Sequence, residues 1–171
     1  MPRKFFQRFL PHRRTIKENK ALQIFGDWLH EPSLWHLSRR SVAGAFAVGL
    51  FVAWMPVPFQ MVLAAGAAIW LGTNLPLSVV IVWVTNPITV PPMFYLAYIV
   101  GTWIVGAPVT DFSFELTFDW LLNELAAIWK PFLVGCFTLA CTSSLIGYLT
   151  IQGVWRYIVL RRRSAKPHLR K

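Results

Sequence analysis

Gln60, Thr85, Asn86 and Thr89, with Tyr95 a little further on, are the side chains in the middle of this chain whose types and spacing could do chemistry. The first four stand beside prolines. Gln60 follows Met55-Pro56-Val57-Pro58-Phe59, and the others lie in or after Thr85-Asn86-Pro87-Ile88-Thr89-Val90-Pro91-Pro92. All of them fall within Val42–Gly106, 65 residues without one Asp, Glu, Lys or Arg. The chemistry open to such groups is hydrogen bonding rather than proton transfer, because amides and hydroxyls donate and accept without ionising. Proton-coupled pumps usually carry an intramembrane carboxylate or histidine, and this stretch has neither. The four histidines, His12, His30, His36 and His168, lie in the basic ends. The chain offers no nucleophile–base pair, no metal-ligand cluster and no Gly-rich phosphate loop. It is therefore expected not to be an enzyme, with no catalytic residue, no metal and no cofactor.

The elements that must position these groups are helices broken by proline. An apolar run this long belongs in a bilayer, where one helical crossing takes about 20 residues. Lipid cannot satisfy backbone groups freed by a break, so the breaks must lie inside protein or a wet cavity. Pro56, Pro58, Pro87, Pro91 and Pro92 are read as the breaks. Proline at 87 removes one donor and frees the carbonyl of Trp83, and Pro56–Pro58 free those around Val52. Gln60 and Asn86 are the two side chains at that depth offering amide donors as well as acceptors. They are expected to share one polar pocket near mid-bilayer, with Thr85, Thr89 and Tyr95 as further cavity candidates. A plainer role stands beside each. Asn86 can cap a half-helix opened by Pro87, and the threonines can bond back to their own helix.

Charge placement gives the topology. The 17 Lys and Arg against 7 Asp and Glu leave a net charge of +10. Nine of the basic residues precede Val42, seven lie at Arg156 or beyond, and Lys130 alone falls between. Charges that flank spans encode orientation, whereas nucleic-acid binding needs a basic face on a soluble module; no nucleic-acid partner is expected. Hydrophobic residues make up 56% of the chain, nine of them Trp, which suits interfacial anchoring. Cys136 and Cys141, five apart, point away from each other on a helix and read as small packing residues.

Taken in order, residues 1–40 form a basic cytoplasmic or interfacial segment. Thr15 and Glu18 have capping-box spacing for a short helix to about Phe25, and Glu31-Pro32-Ser33 starts the helix that runs to Met55. Residues 41–106 are the charge-free core: a helix from Met61 to Leu71, a turn at Gly72–Pro76, a run from Leu77 to the Asn86-Pro87 break, and a resumed helix from Met93 to Gly106. Residues 107–130, with Asp111, Glu115, Asp119 and Glu124, form an acidic amphipathic helix on the outer surface. Residues 131–155, opened by Lys130-Pro131, are a transmembrane helix with a narrow face of small residues, Cys136, Ala140, Ser143 and Gly147. Residues 156–171 are a basic cytoplasmic tail. The core then descends to Pro56–Pro58, returns to Thr73-Asn74 as a re-entrant hairpin, and crosses once through a break at Asn86-Pro87; three thin crossings are the other arrangement. The fold expected is an all-α integral membrane protein with re-entrant, Pro-broken helices, a C-terminal transmembrane helix and interfacial amphipathic helices.

The motifs Gly44-Ala45-Phe46-Ala47-Val48-Gly49-Leu50-Phe51, Pro56-Val57-Pro58-Phe59-Gln60, Asn74-Leu75-Pro76 and Asn86-Pro87-Ile88-Thr89, with Pro92 and Tyr95, resemble a bacterial membrane family called domain of unknown function 2062. The resemblance covers about Pro32–Gly106 and implies a small bacterial membrane protein. The Pro-x-Pro break is also similar to the re-entrant motif of DedA-type lipid-handling proteins, although the acidic residue those carry near the break is missing. The expectation is a multi-pass protein of the bacterial inner membrane with both termini cytoplasmic. It would act as a transporter-, channel-like or lipid-handling module, as a homo-oligomer, with lipids, including anionic headgroups at the basic tails, as partners. The competing expectation is a non-transporting scaffold or assembly factor that recruits partners through its basic tails.

Overall fold

Two side-chain caps and a set of prolines decide where the helices begin. The computed structural model describes residues 32–106 and 125–164, with side chains over 34–106 and 129–161. Among the described residues a 3-10 turn, Pro32–Trp35, precedes five helices and there is no strand: α1 Arg39–Ala53, α2 Gln60–Trp70, α3 Leu75–Val82, α4 Val90–Val105 and α5 Leu125–Ser164. The expected helix at Thr15–Phe25 and the acidic segment up to residue 124 lie outside the described residues.

The helix expected from Glu31 begins instead at Arg39. Ser38 is extended there (φ −105°, ψ 162°), and its Oγ accepts from Ser41 N at 3.1 Å, an N-cap that separates α1 from the turn before it. Asn74 does the same for α3, with Oδ1 accepting from Leu77 N at 3.1 Å and Pro76 in the first turn. Pro91 and Pro92, expected as breaks, stand in the first turn of α4, where no intrahelical partner awaits the missing N–H. Pro131 does not open a helix either: it lies inside α5, which already runs from Leu125 and ends at Ser164. Residues 125–130, assigned to the outer segment, are therefore continuous with the last helix. The remaining interruptions are at Pro56–Pro58 and at Pro87.

Small residues let the helices close up. α5 runs antiparallel to α1, with Phe51 edge-on to Phe137 (6.2 Å, 84°) at one end and Ile151 and Trp155 packed around Leu37, Val42 and Ala45 at the other. Gly147 lies under Leu50 and Phe46 of α1, so this position of the small-residue face is filled by the chain's own helix, not by a second subunit. α4 crosses α5 where a Cβ at Gly101 would overlap the Pro131 carbonyl and one at Gly135 would overlap that of Ala97. α2 buries Ala64, Ala65 and Ala68 against Val52, Leu75, Val79 and Val82. The chain returns after α2 to the start of α1, where Asn74 N donates to the Ser41 carbonyl at 3.3 Å. Because α1 and α5 are antiparallel, Arg39 and Arg40 share one end of the fold with Arg156 and Arg161.

Within α5, Trp129–Arg161, 33 residues, is long and apolar enough to cross a membrane. Trp70, Ile88 and Trp103 are each about 85% exposed on other elements.

Candidate functional site

The two breaks meet, and side chains close the backbone groups they free. At the first break, Met55 N turns back to the Val52 carbonyl at 3.0 Å and Val57 N to that of Met55 at 2.9 Å. Two carbonyls find side-chain partners. Thr85 Oγ1 donates to the Ala53 carbonyl at 2.8 Å from 32 residues away, and Gln60 Nε2 donates to the Met55 carbonyl at 2.6 Å. At the second break, Thr89 Oγ1 donates to the Val84 carbonyl at 2.6 Å. Asn86 Oδ1 accepts from Ile88 N at 2.9 Å and from Thr89 N at 3.1 Å, capping the turn that leads into α4. The freed carbonyls that carry side-chain partners are thus those of Ala53, Met55 and Val84, one to three residues from those read off the sequence.

Between the breaks lies a cavity of about 600 Å³ with Pro56, Pro87, Gln60, Thr85 and Asn86 on its polar side. Its apolar wall includes Phe94 of α4 with Trp129, Phe132 and Leu133 of α5. Phe94 and Phe132 pack edge to face, ring centres 5.3 Å apart. Gln60, Thr85 and Asn86 line this one cavity. Thr89 and Tyr95 do not line it: Thr89 is engaged within its own turn, and Tyr95 is half exposed on α4. For Asn86 the plain capping role and the cavity position hold together. Among the described residues Gln60 Oε1 and Asn86 Nδ2 have no hydrogen-bond partner, so the cavity keeps one amide acceptor and one amide donor to offer.

Sequence reasoning missed the aromatic wall. Trp129 was placed on the outer amphipathic helix, whereas it belongs to α5 and faces the breaks. The available signal was Trp129 and Phe132, three apart across Pro131 and so on one helical face. Among the described residues no ionisable side chain lines the cavity. It can hold a ligand by hydrogen bonds and apolar contact, without charge pairing.

A family model described as "Uncharacterized protein conserved in bacteria (DUF2062)" matches residues 22–164. The match takes in α5 as well as the stretch from Pro32 to Gly106 that carried the resemblance. No curated protein and no solved structure matches the chain.

Proposed function

Since the chain belongs to this bacterial family, we propose that it is a small multi-pass inner-membrane protein that handles an amphipathic molecule, such as a lipid or a lipid-like solute, in the cavity between its helix breaks. The observation that carries this reading is the cavity's two-sided lining, with the amide residues Gln60 and Asn86 on the same cavity as Phe94, Trp129 and Phe132. Pockets that take small molecules are largely apolar with a few placed polar groups, and paired helix breaks are where membrane transporters build their sites. Among the described residues the lining carries no charge, which favours an uncharged or weakly polar group over a bare ion. No covalent chemistry is assigned to the protein.

Membrane embedding is supported by Trp129–Arg161, of which only 22% of the apolar window is buried inside the fold; a soluble core helix would be mostly covered. Arg39, Arg40, Arg156 and Arg161 gather at one end, and by the positive-inside rule this supports a cytoplasmic location for that end and the tails that follow from it. The bond from Asn74 N to the Ser41 carbonyl brings the Gly72–Asn74 turn back to the start of α1, which supports a re-entrant hairpin. A second copy would cover outward aromatics such as Trp70 and Trp103.

A scaffold reading has its own support. Gln60, Thr85 and Thr89 each spend a donor on a break carbonyl, which is what prolines that only shape packing would require. Proteoliposomes separate the two. Gln60→Leu combined with Asn86→Leu is expected to slow transbilayer movement of a fluorescent phospholipid at least tenfold, with insertion and helical content unchanged. Movement at the wild-type rate in the double variant, or none above protein-free vesicles in the wild type, would leave the scaffold as the better reading.

A further inference from the structure

The segment between α1 and α2, Pro56–Phe59, is a loosely fastened wall of the break cavity. Pro56 and Val57 line the cavity, as does Gln60, the first residue of α2. Pro56 and Pro58 have no N–H to give. Among the described residues the backbone of the segment donates one bond, from Val57 N to the Met55 carbonyl at 2.9 Å. Val57, Pro58 and Phe59 are all exposed, Phe59 by 76%. Both flanks, in contrast, are held. Ala53, with no exposure, receives the Thr85 hydroxyl, and α2 is seated by its buried Ala64, Ala65 and Ala68. An exposed, weakly bonded segment between fixed ends is where a fold opens first.

Phe59 adds a reason for this segment to open. It sits at φ 61°, ψ 34°, in the left-handed region, as the N-cap of α2 and with no side-chain cap bond. That geometry crowds Cβ against the following carbonyl oxygen, so a residue other than glycine is disfavoured there. The exposed ring gains little burial to offset the strain. Such outliers persist only where their surroundings hold them, and they gather at clamps and switches. The holding contact is Gln60, whose Nε2 donates to the Met55 carbonyl at 2.6 Å and so ties the residue after the segment to the one before it. Because Gln60 also lines the cavity, the side chain that fastens the segment unfastens it when it turns towards an occupant.

We propose that Pro56–Phe59 is a strap over the break cavity. It is closed while Gln60 holds the Met55 carbonyl and Phe59 is left-handed, and open when that bond is released and Phe59 relaxes to a negative φ. The hinges are Met55 and Phe59, and α1 and α2 stay in place. The inference rests on the cavity of the proposed function but not on its cargo. A strap that opens in the empty protein needs none, so failure of lipid movement in proteoliposomes leaves it standing.

The test uses the full chain in nanodiscs, without ligand, in a Cys136→Ala/Cys141→Ala background. Nitroxide labels are placed on Val57→Cys in the strap and on Leu145→Cys, exposed on α5, and their separation is read by pulsed electron–electron double resonance. Two distances are expected with Phe59 in place. Phe59→Gly removes the left-handed penalty and should raise the closed-to-open ratio about tenfold. Phe59→Ala loses the ring but keeps Cβ, so the ratio should stay as it was. Phe59→Pro, with φ fixed at about −65°, should show the open distance. Gln60→Leu should lower the ratio by removing the bond to Met55. A control pair, Leu63→Cys on α2 with Leu145→Cys, should give one distance throughout. The comparison of Phe59→Gly with Phe59→Ala decides the matter even where Phe59→Pro does not fold. A single Val57–Leu145 distance with Phe59 in place, equal ratios in the glycine and alanine variants, or an unchanged ratio in Gln60→Leu would overturn the strap. So would movement of the control pair, since the whole of α2 would then be moving.

Discussion

Thr85 links the two breaks through a single side chain. Its hydroxyl reaches the carbonyl of Ala53, a residue with no exposure, across 32 positions of sequence. Removing that donor strands a buried acceptor, while keeping the shape of the side chain isolates the hydrogen bond from packing. Thr85→Val is therefore expected to destabilise the protein by about 1–3 kcal/mol, with Thr85→Ser close to wild type, in thermal melts of the detergent-solubilised protein. Equal melting of all three would show that water serves the Ala53 carbonyl as well. This pairing was beyond reach of the sequence. A threonine near a proline invites a bond to its own turn, which is what Thr89 does, and nothing in residue type separates the two. Phe59 is a second residue-scale surprise: at φ 61° it is the described non-glycine residue in the left-handed region, caught between Pro58 and Gln60.

Helix ends are legible where proline and glycine bracket a run, and are misread at the Ser38 cap and where proline is taken as a stop. Gln60–Trp70 falls within one residue of the expected helix, because Pro58 before it and Gly72 after it bracket the run. Gly72, at φ 60°, is in the left-handed region that glycine enters freely. Pro91, Pro92 and Pro131 were each assigned more disruption than they cause. The first two fall where a helix needs no N–H, and the third is carried through by contacts α5 makes with α4. That crossing rests on Gly101 and Gly135, whose missing side chains let each backbone lie on the other's carbonyl. Gly135→Ala must push α4 away from α5 and is expected to cost about 1–3 kcal/mol, the range for overpacking. A lowered melting point with faster proteolysis should report it; an unchanged melting point would mean that the crossing gives way without loss.

At the scale of the molecule, the arrangement of charges and turns makes a topology that can be tested from outside the cell. Leu71, 54% exposed at the turn that returns to Ser41, is a better reporter than buried Asn74. In a Cys136→Ala/Cys141→Ala background, Leu71→Cys and Arg161→Cys are expected to react with a membrane-impermeant maleimide only after the cells are opened. Labelling of Leu71→Cys in intact cells would reverse the orientation of the hairpin relative to the tails.

The sequence by itself determined that the chain is helical, where its charges gather, that Pro56, Pro58 and Pro87 interrupt it, and that Gln60 and Asn86 are the amides beside those interruptions. These follow from local rules of periodicity, capping and charge that operate within a few residues. The tertiary structure alone decided that the two interruptions meet, that Thr85 closes the carbonyl of the other break, that Trp129, Phe94 and Phe132 wall the cavity, and that the backbone of Asn74 returns to that of Ser41. Each of these depends on helices far apart in the chain packing through glycine and alanine faces. A run of small apolar residues shows that a face can be approached closely, and carries no mark of which helix will approach it.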